Sequence, residues 1–283
     1  MISNRIKPHP RLLIRKSNVK SNLTKELSRE NSSKKKKTRI IRKTKPSVTN
    51  NRKINPLGSA TGKAIQIISL YPVRSSGRLK EYKQCVINNL ENKYIKKIVI
   101  LFENRNKIDN FDRDYGFLKD DRCEIIDIDK RPTYQDVFKL ANEQYKKEYI
   151  VLSNADIKFD KTLKYIFNRN LDSKTILMLT RYNYINKKDR WELQGKGKNY
   201  SSFDAWIFKS PIRKFSCNIM MGVIGCDSYL AYFAQKANFN VSNPCLSIKI
   251  KHKHSCGERN DKPKGFCYWD QKGYRGGLIQ YSK

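Results

Sequence analysis

The sequence predicts an α/β fold with a mostly parallel sheet and helices on both of its faces, and three observations carry that expectation. Short β-branched apolar runs bounded by turn residues recur along residues 64–250. The stretches between the early runs place apolar residues at helical spacing. The two kinds of segment alternate, which is the order that builds a parallel sheet covered by its own crossover helices.

Taken in order, residues 64–70 (Ala-Ile-Gln-Ile-Ile-Ser-Leu) form a buried first strand that ends at Tyr71-Pro72 and a basic loop reaching Arg78. Leu79, Tyr82, Val86 and Leu90 give the inward face of a helix over 79–90, and 98–102 and 123–128 give the second and third strands. Thr133 precedes Asp136 by three, a capping-box spacing, and Val137, Leu140, Ala141 and Tyr145 continue a helix from it. A fourth strand follows at 149–152, a helix at 161–167 and a fifth strand at 175–180. Residues 183–200 are polar and contain glycine, the composition of a mobile loop facing an acceptor. Strand character resumes at 202–208, a helix is expected over 228–236 with Asp227 or its neighbour as cap, and a last strand over 246–250 runs into Lys251-His252-Lys253-His254.

Charge is unevenly spread. Residues 1–60 hold 18 basic against 2 acidic side chains, including Lys34-Lys35-Lys36-Lys37. Such a segment buries too little apolar surface to offset its ordering entropy, so a disordered polybasic tail is expected before one globular domain over 61–283. That domain still carries 42 basic and 24 acidic residues, so an anionic partner is expected. A nucleotide diphosphate, an acidic lipid surface and nucleic acid each satisfy the charge.

No run approaches the roughly 18 apolar residues of a membrane span, and no apolar stretch follows the first basic residues as in a secretory signal. The expected setting is cytoplasmic, with peripheral membrane or virion association through the tail left open. Seven cysteines without a Cys-x-x-Cys pair predict reduced thiols and argue against a zinc ribbon or disulfide framework. Heavy use of Lys, Asn and Ile points to an A/T-biased genome such as that of a large DNA virus or a protist. A Gly-x-Gly-x-x-Gly after the first strand and a Gly-Lys-Ser/Thr loop are both missing, which leaves dinucleotide oxidoreductases and P-loop enzymes without support.

The chemistry concentrates at strand ends, where open α/β sheets bind ligands. Ser153-Asn154-Ala155-Asp156-Ile157 follows the fourth strand directly, and its oxygen donors suit Mg²⁺ or Mn²⁺ carrying a diphosphate, although Asn and Asp also serve such loops as turn residues. Asp204, Asp227 and the His252/His254 pair stand at later element ends. Two histidines two apart in a strand address one face. Arg74 and Arg78 are side-chain donors for a diphosphate or ordinary surface basics.

With these motifs in this order, residues 64 to about 260 resemble GT-A-type glycosyltransferases, most of all a family-2-like branch that pairs a Ser-Asn-x-Asp-Ile loop with Asp-Ala-Trp-Ile-Phe, Gly-Cys-Asp and His-x-His segments. The resemblance implies a GT-A-like, Rossmann-like sheet and transfer of a sugar from a nucleoside-diphosphate sugar, most naturally a UDP-sugar, to a glycan, protein or lipid acceptor. It implies Asp156 and His252 or His254 as ligands of Mn²⁺ or Mg²⁺, with Asn154 on the ribose or assisting the metal. Tyr71, Pro72, Arg74 and Arg78 would wall the nucleotide, and Arg131 would meet the ribose or base edge. Asp227 is the candidate base, kept ionised by the positive end of its helix, or else a plain helix cap. Asp204 would orient hydroxyls beside a flat Trp206 face, or Trp206 belongs to the core. Asn142 is a weaker candidate for nucleotide contact. Two rivals stand beside this reading: a sugar-nucleotide nucleotidyltransferase, for which Ser75-Ser76-Gly77 is too sparse in glycine, and a non-catalytic basic nucleic-acid-binding or virion protein on a transferase-like fold.

Overall fold

The computed structural model describes residues 62–185, 188–195, 199–200, 202–252, 268, 276–277 and 279–283. The polybasic tail over 1–60 and His254 lie outside the described residues.

The chain runs β1 (Ala64–Leu70), α1 (Ser76–Leu90), β2 (Ile95–Glu103), α2 (Phe111–Tyr115), β3 (Cys123–Ile128), α3 (Tyr134–Gln144), β4 (Tyr149–Ser153), β5 (Lys158–Phe159), β6 (Thr175–Leu179), β7 (Tyr182–Ile185), β8 (Arg190–Leu193), β9 (Asn199–Tyr200), β10 (Ala205–Lys209), α4 (Cys226–Lys236), β11 (Asn240–Ser242), β12 (Ile250–His252) and β13 (Ile279–Gln280). Seven strands form the main sheet in the order β11-β6-β10-β4-β1-β2-β3. Every pairing in it is parallel except those of β10, which lies antiparallel between β4 and β6. The fold is therefore α/β with a mostly parallel sheet.

Alternation along the strands feeds two cores. Ile65 and Ile67 of β1 join Trp206 and Phe208 of β10 against α3 and α4. Ile68 and Leu70 pack on the other face with Tyr82, Val86 and Leu90 of α1 and Tyr115 of α2. Burying β-branched side chains on both faces is what a parallel sheet requires. Thr133 and Asp136 close the expected capping box on α3.

Besides α2, β5 and β11, which were not expected, three of the expected segments fold differently. Residues 161–167 form a short 3-10 turn, Lys161–Ile166, with the Asp160 side chain accepting from the Thr162 amide at its start. Only Leu163 and Ile166 of this segment are buried, too few to hold a longer amphipathic helix. The strand expected over 246–250 starts only at Ile250, because the Ser247 and Ile248 amides both turn back to the Pro244 carbonyl. The polar stretch after 181 is in part a hairpin, β7 against β8, with Tyr184 opposite Trp191 and Tyr182 opposite Leu193. Those cross-strand aromatic and aliphatic pairs override its polar composition. With β5 and β12 it makes a second sheet ordered β5-β12-β7-β8.

Candidate functional site

The topology explains why residues far apart in sequence meet. Because β10 runs against β4 and β6, its first residues lie at the carboxyl ends of both, with Ala205 opposite Ser153 and Leu179. Asp204 is thereby fixed next to the β4 loop: its amide donates to the Leu179 carbonyl and its carbonyl accepts from the Asn154 amide, each at 3.0 Å. The loop itself is clamped from α1, where Asn89 Nδ2 donates to the Ile157 carbonyl and Asn89 Oδ1 accepts from the Phe159 amide, both at 2.9 Å. On the other side β12 lies parallel to β7, placing His252 opposite Asn183.

Asp156 is the centre of this arrangement. Its Oδ2 receives Arg78 Nη2 at 2.6 Å and lies 3.2 Å from His252 Nε2. Arg78 extends from the first turn of α1, whose amino end is capped by Ser75 and has no acidic residue. Its other terminal nitrogen, Nη1, donates to the buried Glu81 at 2.8 Å. Burial alone would raise the Asp156 pKa, but the His252 and Arg78 contacts outweigh it and hold the carboxyl well below the usual range.

A second charged pair sits beside the first. Asp204, 3% exposed, takes Arg181 Nη1 on Oδ1 at 2.6 Å and the Asn154 amide nitrogen on the same oxygen at 3.0 Å. Arg181 Nε in turn donates to Asn183 Oδ1 at 2.9 Å. The other carboxylate oxygen, Oδ2, is buried and accepts no hydrogen bond among the described residues. Burial raises the Asp204 pKa, and although Arg181 opposes this, the neighbouring charge of Asp156 reinforces the rise. Asp227 completes the row, accepting the Phe203 amide on Oδ2 at 2.8 Å.

For Asp227 the expectation from the helix end is corrected. Gly225, at φ 82°, occupies the cap position of α4 and offers no side-chain cap, leaving Asp227 as the second helical residue, turned across to Phe203. Burial, together with the charge of Asp204, pushes its carboxyl up to about 6, so desolvation outweighs the hydrogen bonds and helix end that favour the ion.

From Arg78 a chain of contacts continues along the sheet edge. Its guanidinium carbon lies 4.8 Å from the Tyr82 ring centre, Tyr82 and Tyr71 share a hydroxyl contact of 2.9 Å, and Arg131 stands 5.6 Å from the Tyr71 ring centre. Arg131 also pairs with Glu103 at 3.6 Å.

The structure thus brings Arg78, Asn154, Asp156, Asp204 and His252 into one cluster, sets Asp227 at one end of it and aligns Tyr71 and Arg131 at the other. Pro72 is half-buried in the β1–α1 turn, and Arg74 is exposed on the same turn, tied by no described contact to the cluster. Trp206 is not a flat binding face: it is 1% exposed and packs edge-on against Tyr134 at 4.9 Å in the core. Asn142 is structural, exchanging two 2.8 Å hydrogen bonds with the backbone of Ile212. Arg181, Glu81 and Asn183 are site residues that the sequence reading missed. Arg181 had a usable signal, since it follows the fifth strand as directly as Asn154 follows the fourth.

As a cation site, Asp156 and His252 offer one carboxylate and one imidazole on a shared locus. Among the described residues no group of three or more metal-ligating side chains gathers. Two protein donors suit an ion that arrives on a diphosphate, because Mg²⁺-type ions take one or two carboxylates plus substrate phosphates and waters. The donor set fits Mn²⁺ or Mg²⁺ carried on a nucleotide.

No family model matches the chain, and no curated protein sequence matches it either. Similar solved structures include GalNAc-T7 with UDP, GalNAc and Mn²⁺, at 10% identity over 73% of this chain and 45% of that one, TM-score 0.45. They also include the mannosyltransferase PcManGT from Pyrobaculum calidifontis with GDP-Man and Mn²⁺, at 11% identity over 73% of this chain and 62% of that one, TM-score 0.45. S. aureus TarS 1-349 with UDP-GlcNAc is similar at 11% identity over 69% of this chain and 60% of that one, TM-score 0.45. The chain spans less than two thirds of each of these three structures, 45% to 62%. Among the described residues no helix is long and apolar enough to cross a membrane.

Proposed function

We propose that this chain is a glycosyltransferase that moves a sugar from a nucleoside-diphosphate sugar to an acceptor hydroxyl. The observation that carries the proposal is the convergence of Asp156, Asp204, His252 and Arg78, from four separate segments, on one locus at the carboxyl edge of the parallel sheet. Carboxylates, an imidazole and a helix amino end with an arginine on its first turn form a chemistry suited to a diphosphate and to the ion it carries.

In this reading Asp156 and His252 hold a divalent ion, whose charge when bound stabilises the departing nucleoside diphosphate. Arg78 meets the same diphosphate as a fixed guanidinium, and the Tyr71 and Arg131 end of the row receives the nucleoside. Asp204, with one oxygen held by Arg181 and Asn154 and the other without a hydrogen bond among the described residues, accepts a hydroxyl of the transferred sugar. Asp227, with a pKa near 6, is ionised at neutral pH yet basic enough to take the acceptor proton as the new glycosidic bond forms. Burial gives both properties, since the carboxylate is desolvated and pairs with no cation among the described residues.

The test is a panel of UDP-, GDP- and dTDP-sugars with Mn²⁺, in which at least one donor is slowly hydrolysed and releases its nucleoside diphosphate. Asp156→Ala abolishes that release. Failure of every donor to bind or turn over would sink the proposal, and release of pyrophosphate from a nucleoside triphosphate and a sugar phosphate would replace it with nucleotidyl transfer.

A further inference from the structure

We propose that Arg78 is a resident counter-ion of Asp156 which a divalent cation must displace, so that cation and nucleotide diphosphate bind this site cooperatively. The inference rests on the glycosyltransferase reading and adds how its donor site is regulated.

Arg78 Nη2 and His252 Nε2 approach one oxygen, Asp156 Oδ2, at 2.6 and 3.2 Å. A cation bound to that oxygen and to His252 would stand beside the guanidinium on the same carboxylate, and the repulsion between the two positive groups makes them compete for it. Arg78 has little freedom to leave for solvent, because its side chain is only 15% exposed and Nη1 is anchored to Glu81, itself 5% exposed. Its Nε is buried without an acceptor among the described residues, so the guanidinium keeps a donor available in this position.

These facts set the sign of the coupling. A cation arriving alone would strip Arg78 of its main carboxylate and leave a largely buried guanidinium short of an anion, which is costly. A diphosphate arriving with the cation supplies replacement oxygens to the same guanidinium, which binds phosphate through several donors at once. Metal alone therefore binds weakly, metal and nucleotide together bind well, and linkage makes the effect reciprocal. The amino end of α1, free of acidic residues in its first turn, favours the anion on the side where Arg78 would meet it.

The test uses the full chain, Mn²⁺ and UDP, with free Mn²⁺ followed by electron paramagnetic resonance and UDP by calorimetry. In the wild type, UDP tightens Mn²⁺ binding, and Mn²⁺ tightens UDP binding, by the same factor of about 5 to 150, the usual range for coupled sites. In Arg78→Met, Mn²⁺ alone binds more tightly than in the wild type, and the factor falls towards one. Arg78→Lys, which keeps the charge without the fork, retains part of the coupling and covers the event that Arg78→Met does not fold. Two results overturn the inference: Mn²⁺ and UDP binding independently in the wild type, or an unchanged Mn²⁺ affinity in folded Arg78→Met. Both leave UDP binding intact, whereas absence of UDP, GDP and dTDP binding under all conditions removes the glycosyltransferase reading itself.

Discussion

Replacing Asp227 by Asn should move stability and activity in opposite directions, and the structure sets the size of both effects. Burial raises this carboxyl from 3.8 to about 6, so the folded chain binds a proton that the unfolded chain has already released across that window. Stability therefore falls as pH rises from 3.8 to about 6 and stays lower above it. At about 1.4 kcal/mol per pH unit, the ionised carboxylate costs the fold about 3 kcal/mol at pH 8. Asparagine removes the charge and keeps an oxygen for the Phe203 amide, but its NH₂ meets other donors around the site, which returns about 1 kcal/mol. The net expectation is a variant more stable by about 2 kcal/mol at pH 8 and no more stable than the wild type below pH 4. Urea unfolding at pH 4, 6 and 8 measures this directly. Turnover should meanwhile drop by about 10² to 10⁴, the contribution of a general base. A stability difference independent of pH would refute the desolvation argument, and a variant with full turnover would remove Asp227 from the chemistry.

The same carboxylate predicts that kcat/KM falls as pH drops through about 6, and Asp204→Asn should shift this limb to lower pH because the Asp204 charge helps raise Asp227. Asp156→Ala should lose donor hydrolysis and also lower stability, by less than the roughly 3 to 5 kcal/mol of a wholly unpaired buried charge because Arg78 keeps Glu81; adding Arg78→Met should change that loss in chemical denaturation. Asn154→Asp should lower the melting temperature and raise the Asp204 pKa seen by carboxyl NMR, because it sets a like charge on the 3.0 Å contact with Asp204 Oδ1. Thr133→Ala should cost about 1 kcal/mol by removing the α3 cap, with donor affinity unchanged.

In the main sheet β1, β2, β4, β6 and β10 were legible as short apolar runs buried on both faces, whereas β11, Asn-Val-Ser and largely unburied, was not; α3 was legible because its cap is encoded within four residues. Asp156 and Asp204 were legible for a related reason: one follows a strand and the other precedes one, and a strand end in such a sheet is a position as much as a sequence. What lay beyond reading was the pairing of charges. Arg78 and Arg181 each stand near a strand end, but in a chain with 60 basic residues nothing local shows which carboxylates they meet, and those partners lie 78 and 23 positions away. The second sheet was hidden similarly, since β5 and β12 are too short to announce themselves and are fixed by pairing with each other and with β7.

The pairing of charges also bears on the neutral side chain at position 154. The cluster already holds Asp156 and Asp204 close enough for one to raise the pKa of the other, and each carboxylate has one arginine. A further carboxylate at 154 would meet Asp204 Oδ1 at 3.0 Å, an oxygen whose arginine, Arg181, is already engaged, whereas the asparagine amide donates to it. The neutral residue thus adds no charge to a site where Arg78 is already shared by Asp156 and Glu81 and Arg181 is engaged by Asp204. With Asp156 and Asp204 each already paired to an arginine, the site would hold a cation loosely until a diphosphate brings fresh negative charge, which is the coupling of metal to nucleotide proposed above.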